Sequence, residues 1–299
     1  MASWMLRPVE KPRGGEGELS VLAEASSRGS PDYMNLTLAY RLSLVVAALI
    51  VFVSVAGLAW GSEGLYRVGS PTVLVSQGGD AANLVLVPIL LGAMWLARRG
   101  SMIGLLLWPG ALFYTLYAYA IYLVGAPFTV LVFAYVALVV IISSTLIGIV
   151  SGIDGEDVRH RLAGAPVRSV GGALVVIALL AYAGLTATAI SMLASPTVEA
   201  GLRPQWVVDC ALGTPVLLLG GALLLRRLSL GYVTAPGLLF VSGLGGVAFS
   251  VAAVIDNLLS GPQTETAIIA THLLISAASF ALLAFFVRSI AAGQRRVAE

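Results

Sequence analysis

Eight long apolar stretches, separated by short polar or glycine-rich breaks, set the pattern of this chain. Apolar runs of about 18 residues or more predict helices that cross a bilayer. They are expected near residues 39–60, 79–97, 102–124, 128–151, 169–193, 205–225, 233–256 and 266–288. The second is the shortest and opens on Asp80 and Asn83. A bilayer core offers the backbone no water, which favours helices that satisfy their own hydrogen bonds. Segments of alternating polarity, the mark of a membrane β-barrel, are absent from the sequence. The expected fold class is an all-α membrane protein with eight transmembrane helices.

The punctuation of two runs recurs. Pro88, Leu90, Leu91, Leu96, Arg99, Gly104, Pro109, Gly110, Leu112 and Phe113 reappear 127 positions later as Pro215, Leu217, Leu218, Leu223, Arg226, Gly231, Pro236, Gly237, Leu239 and Phe240. The shared G-x4-P-G-x-L-F after a shared proline and arginine predicts a duplicated unit. Four spans per unit start and end on one side, so the expected arrangement is two parallel four-helix repeats about an axis along the membrane normal. The expected boundaries are a disordered cytoplasmic tail over 1–38, repeats over 39–151 and 169–289, a linker over 152–168, and a C-terminal tail over 290–299. Pro88, Pro109, Pro215 and Pro236 are expected to kink matching helices at matching depths. Ser144-x3-Gly148-x3-Gly152 and the Ser242, Gly243, Gly245, Gly246 group read as places where helices approach closely.

Composition and charge refine this picture. The chain is 59% hydrophobic and 11% charged, outside the range of soluble domains. Of its 17 Lys and Arg, all but Arg67 and Arg203 fall on one side of the expected spans. The positive-inside rule then places both termini in the cytoplasm. This asymmetry accounts for the net charge of +2, and no nucleic-acid partner is implied. Basic clusters at that face suit anionic lipid headgroups, though setting topology is their default role. Cys210 is the one cysteine, which excludes an intrachain disulfide. The external loop 61–78 is long enough for a short interfacial helix. In the 152–168 loop, Asp157 and Arg161 have the i,i+4 spacing that supports a short helix within a hydrated linker.

Candidate chemistry is sparse. Asp209, Asp256, Glu265 and His272 form a candidate polar cluster in the outer half of the second repeat. Ionisable groups inside a membrane are costly and mark sites by default. Asp256 and Glu265 lie near span ends, where capping or hydration explains them. Asp209 and His272 lie deeper, and they are expected to share one interhelical space, close enough for a direct or water-bridged contact. Tyr114 and Tyr117 are the candidate aromatic lining, together with Asp80 and Asn83 or as interhelical hydrogen-bond donors. Tyr119 and Tyr122 read as part of the aromatic belt. One His and two carboxylates on three helices lack metal-ligand spacing, so no metal is assigned. No motif calls for a cofactor or a known catalytic constellation.

The stretch from Arg99 to Val150 carries Arg99, Gly100, Gly104, Gly110, Tyr114, Tyr117, Tyr119, Tyr122, Gly125 and Phe128. It resembles a recurrent pattern in uncharacterised prokaryotic multi-pass membrane proteins, with Thr129 where that pattern has Asn. The resemblance implies a prokaryotic inner-membrane location and transfers no functional residue. Sixteen Arg against the single Lys11 fit a GC-rich prokaryotic genome.

Three functions compete. A small-solute or ion transporter, or a component of one, needs a polar-lined pathway. A non-catalytic subunit, assembly factor or sensor, bound to another membrane protein or to a second copy of itself, needs an exposed small-residue groove and no cavity. A lipid-acting intramembrane enzyme needs His272 within hydrogen-bond reach of Asp209. The topology is directly testable. Single cysteines at 61–78 and 194–203 should label from outside intact cells, and a cysteine at His160 only after permeabilisation.

Overall fold

The computed structural model describes residues 36–60, 74–194, 196–261 and 264–298, and every regular element among them is helical. The expected tail through residue 35, and the 61–73 part of the external loop with Arg67, lie outside the described residues. Ten α-helices follow in order: α1 Leu36–Trp60, α2 Gln77–Arg98, α3 Met102–Gly125, α4 Leu131–Gly152, α5 Gly155–Arg161, α6 Val167–Ala194, α7 Pro196–Val208, α8 Thr214–Leu225, α9 Ser229–Ser260 and α10 Thr266–Ala298. A π-helical turn, Asp209–Gly213, joins α7 to α8. Eight apolar helical segments are long enough to cross a membrane, the sixth running through α7, the π turn and α8. This is a multi-pass membrane protein. The helices start or end within a few residues of the expected bounds. Residues 36–38 are helical and belong to α1, and the 290–299 tail continues α10 as far as Ala298.

Lipid tails are as apolar as leucine, so close packing rather than hydrophobicity selects which helices meet. The two most buried spans are α3 and α9, and they cross at Gly110 and Gly237. A Cβ on Gly110 would sit 2.7 Å from the Gly237 Cα, and a Cβ on Gly237 would sit 3.2 Å from the Gly110 Cα. Backbone therefore meets backbone at the centre of the molecule. Around this crossing α9 packs on α2, α3, α8 and α10, while α3 packs on α2 and α4.

The α2–α3 and α8–α9 corners are built alike. In the first, Arg99 N–H donates to Trp95 O, Gly100 N–H to Ala97 O and Ser101 N–H to Leu96 O. In the second, Arg226 N–H donates to Ala222 O, Arg227 N–H to Leu224 O and Leu228 N–H to Leu223 O. Each bond in the second corner lies 127 positions beyond its counterpart. Such a corner needs a left-handed residue after the last turn. Gly100 supplies it at φ +78°, and Arg227 adopts it at φ +55° despite its Cβ. After each corner a glycine lies on the preceding helix, Gly104 against Leu96 and Ala97, and Gly231 against Leu223 and Leu224.

The two halves differ at their outer helices. In the first, α1 packs along α4. In the second, α6 and α10 make no comparable contact and α6 is the least buried span. The 152–168 loop is not simply a hydrated linker. Asp154 caps α5, the Arg161 Nε lies 2.9 Å from the Asp157 carboxylate, and Val158 and Leu162 are buried, with α5 set against α9. Apolar residues within a charged loop dock it. At the arginine-bearing end, the Arg98 guanidinium lies over Tyr40 and that of Arg99 over Trp95 at 3.7 Å, keeping charge at the face while the stems stay apolar.

The prolines do not behave alike. Pro88, Pro109 and Pro236 lie inside continuous helices, and Pro215 follows the π turn. The strained corner gives a simple test. Arg227→Gly should raise the thermal midpoint in detergent, relieving a left-handed penalty of about 1 kcal/mol, and Gly100→Arg should lower it.

Candidate functional site

A cavity of about 440 Å³ lies in the second half, between α6, the π turn, α8, α9 and α10, with α3 as its far wall. Its wall is mainly apolar, and polar groups enter from several directions. Asp209 comes from the π turn. Pro215 has no N–H to donate to the carbonyl four residues back, and the wider turn closes instead through the Thr214 N–H and Asp209 O. Single π turns inside helices recur at functional sites because they re-aim one side chain. Here the turn carries Asp209 and Gly213, and both line the cavity. A Cβ at Gly213 would press on the Asp209 carboxylate and the Tyr117 ring, so glycine keeps that space open.

The Tyr117 hydroxyl donates to Asp209 Oδ1 at 2.8 Å, and Gln205, one turn earlier, also hydrogen-bonds the carboxylate. Asp209 forms no ion pair among the described residues. Tyr114 is 1% exposed, lines the cavity, and its hydroxyl has no protein hydrogen-bond partner among the described residues. Thr214, 3% exposed, presents a second such hydroxyl. Buried hydroxyls normally find partners. Among the described residues the enclosed side-chain atom without a partner is Ser279 Oγ, outside this cavity, whereas the Tyr114 and Thr214 hydroxyls open on the hollow, where a bound molecule or water can supply their hydrogen bonds.

His272 lines the same cavity from α10. Its ring stacks on Phe249 at 3.9 Å, and Nδ1 lies 2.9 Å from the Ile268 carbonyl. That contact requires the proton on Nδ1, which leaves Nε2 as an acceptor when the ring is neutral. Asp209 and His272 thus share one space, but no hydrogen bond or ion pair joins them. In place of a direct bond between them, Asp209 has Tyr117 and Gln205, and His272 has Phe249 and the Ile268 carbonyl. The geometry required of a lipid-acting enzyme is not met.

The other two members of the expected cluster stand apart. Asp256 accepts from the Ser76 hydroxyl at 2.7 Å and from the Gly78 N–H at 3.1 Å, at the N-terminus of α2. It ties α9 to the start of α2, where a carboxylate complements the helix dipole. Glu265 is exposed and precedes α10, its carbonyl accepting from the Ile268 N–H. The aromatic assignments also shift. Tyr119 and Tyr122 are buried rather than in an interfacial belt, and their rings pack at a tilt against Tyr135 with centroids 6.0 and 5.3 Å away. Tyr119 shares a hydrogen bond with Ser54, and Tyr122 donates to Asp80. Asp80 and Asn83 are buried on α2, and neither lines the cavity of Tyr114 and Tyr117.

No protein-family model, curated protein sequence or solved structure matches this chain. The reading of the site therefore rests on its own geometry. No group of three or more His, Cys, Asp or Glu among the described residues is placed to hold a metal ion.

Gln205 and Thr214 were not singled out from sequence, and Gly245 was read only as a close-packing residue, whereas it lines the cavity. Gln205 carried a signal, since four residues before Asp209 is the same helical face. Asp256→Ala should lower thermal stability by about 1–2 kcal/mol through loss of the α2 cap. Differential scanning of the purified protein measures that loss, and Asp256→Asn, which keeps an acceptor, should cost less.

Proposed function

We propose that the protein is a small-solute carrier, or the solute-binding component of one, with its ligand site in the second half. The observation that carries this reading is the cavity of about 440 Å³ around Asp209, with the unpartnered hydroxyls of Tyr114 and Thr214. Ligand sites are mostly apolar hollows with a few placed polar groups, and this cavity has that make-up. A carboxylate held in a membrane without an ion-pair partner is a functional marker in its own right.

We further propose that the halves are parallel copies about an axis through the Gly110–Gly237 crossing, with both termini cytoplasmic. Support comes from the reciprocal glycine contact and the matching corners. On this reading Tyr119 and Tyr122 correspond to Gly246 and Phe249. At that level the first copy is filled by tyrosines and the second is open, while the first copy has its own hollow of about 580 Å³ nearer its arginine-bearing end, beside Arg41 and Arg98. The first copy closes α1 on α4, and the corresponding α6 and α10 stay apart.

A second reading, a non-catalytic membrane subunit, draws on α4. Ser144 is exposed there and nothing lies within 4 Å of a Cβ at Gly152. An accompanying cavity was the feature expected to be missing from such a protein, so the carrier reading is preferred.

Gly245 provides the decisive variant. A Cβ there would meet only the Tyr114 ring, at 3.7 Å, so a larger side chain has room to grow into the hollow. Purified in native lipid, the wild-type protein should retain a small molecule detectable by mass spectrometry. Gly245→Leu should lose it while keeping its fold and yield. A partner chain in place of a small molecule, retained by both forms, would favour the subunit reading.

A further inference from the structure

We infer that the ligand of this cavity is a lipophilic monocation, an organic ammonium with an apolar body; the inference rests on the carrier reading above. Charge comes first. Asp209 is the one acidic residue in the lining, and neither Lys nor Arg contributes to it. An anionic head would meet a carboxylate and no fixed positive charge. An ammonium would meet Asp209, whose negative charge no ion pair within the described residues offsets.

Hydrogen-bond supply points the same way. The carboxylate accepts only, and with Nδ1 facing the Ile268 carbonyl the His272 ring has Nε2 to offer as an acceptor in its neutral form. The Ser242 hydroxyl already donates to the Leu238 carbonyl, so it too has acceptor capacity to offer. The Tyr114 and Thr214 hydroxyls both donate and accept, so each polar group named here can take a hydrogen bond from a donor-rich head.

The walls fix the remainder of the molecule. Phe113, Tyr114, Tyr117 and Phe249 line the space, and aromatic faces attract cations most strongly where water is excluded. The volume of about 440 Å³ falls in the range of small-molecule sites. Gly184 on α6 and Ile275 on α10 both line the cavity and are exposed, and these two helices make no contact comparable to that of α1 with α4. Their faces adjoin the bilayer, which gives a molecule already dissolved in lipid a lateral route. The apolar body provides that solubility, and the ammonium provides the selectivity.

Three probes with one body and different heads test the inference: 6-phenylhexylamine, 6-phenylhexanoate and 6-phenylhexan-1-ol. Binding is measured on the full chain in phosphatidylcholine nanodiscs, with empty nanodiscs as the baseline. The amine should bind at least about tenfold more tightly than the carboxylate or the alcohol, a difference of about 1.4 kcal/mol. Asp209→Asn should remove that advantage and leave the alcohol unchanged, and Gly245→Leu should abolish binding of all three. Equal affinity for the three heads, or no binding of any, overturns the cation assignment. An amine advantage that survives Asp209→Asn does the same. Should Asp209→Asn not assemble, the comparison of heads on the native chain decides. If the heads are equal but Gly245→Leu still loses them, the cation assignment falls and the cavity reading stands. If Gly245→Leu binds the amine as the native chain does, both fall.

Discussion

The meeting of Gly110 and Gly237 is the constraint on which the arrangement of helices depends. With no hydrophobic force to gather helices in a bilayer, association relies on close van der Waals contact. Backbones touch only where both partners lack a side chain. That contact brings α3 and α9 together as the buried centre, and the other spans are laid against them. Glycine recurs wherever helices draw close. Gly243 meets the Phe280 ring, and Gly246 meets the backbone of His272 and the Ser276 hydroxyl, which itself donates to the Gly243 carbonyl at 2.8 Å. These contacts hold α10 against α9 with His272 facing the cavity.

Polar groups in the interior divide into those already satisfied and those held in reserve. Asp80 receives Tyr122, Ser54 pairs with Tyr119, Trp108 donates to Ser43, and Asp256 caps α2. Each repays the loss of hydration with a protein partner. Around Asp209 the balance differs. Tyr117 and Gln205 satisfy the carboxylate as Ser76 and Gly78 satisfy Asp256, but the hydroxyls of Tyr114 and Thr214 open on the adjoining hollow without a protein partner among the described residues. What sets this place apart is the hollow beside a hydrogen-bonded carboxylate, with two hydroxyls opening onto it.

That distinction was only partly legible in the residues. Asp209 and His272 stood out because ionisable groups deep in apolar runs are rare. Asp256 lies near a span end, where capping or hydration was the expected reading, and it is a cap; the residues could not tell that its donors would be Ser76 and Gly78 at the start of α2, 180 and 178 positions away in the chain. Tyr119 and Tyr122 looked interfacial by position along their helix. They are buried because Tyr135 on α4 and Ser54 on α1 close over them. The π turn at Asp209 was hinted at by Pro215, but Pro88 and Pro109 sit in continuous helices, so proline alone did not separate the cases.

What the sequence determined by itself is what depends on runs and local chemistry. The eight spans follow from the length and polarity of each run, since a bilayer accepts little else. The corners at Arg99–Ser101 and Arg226–Leu228 follow from short-range backbone bonding, and the short α5 from its own cap and charges. Tertiary structure decided which faces meet. The cavity exists because α6 and α10 do not close over Gly245 and Gly246, and because Tyr114 and Tyr117 reach across from α3. An apolar run is nearly uniform around its axis, and it says little about which side turns inward. Only the packing of the other helices, organised by two glycines in contact, settles it.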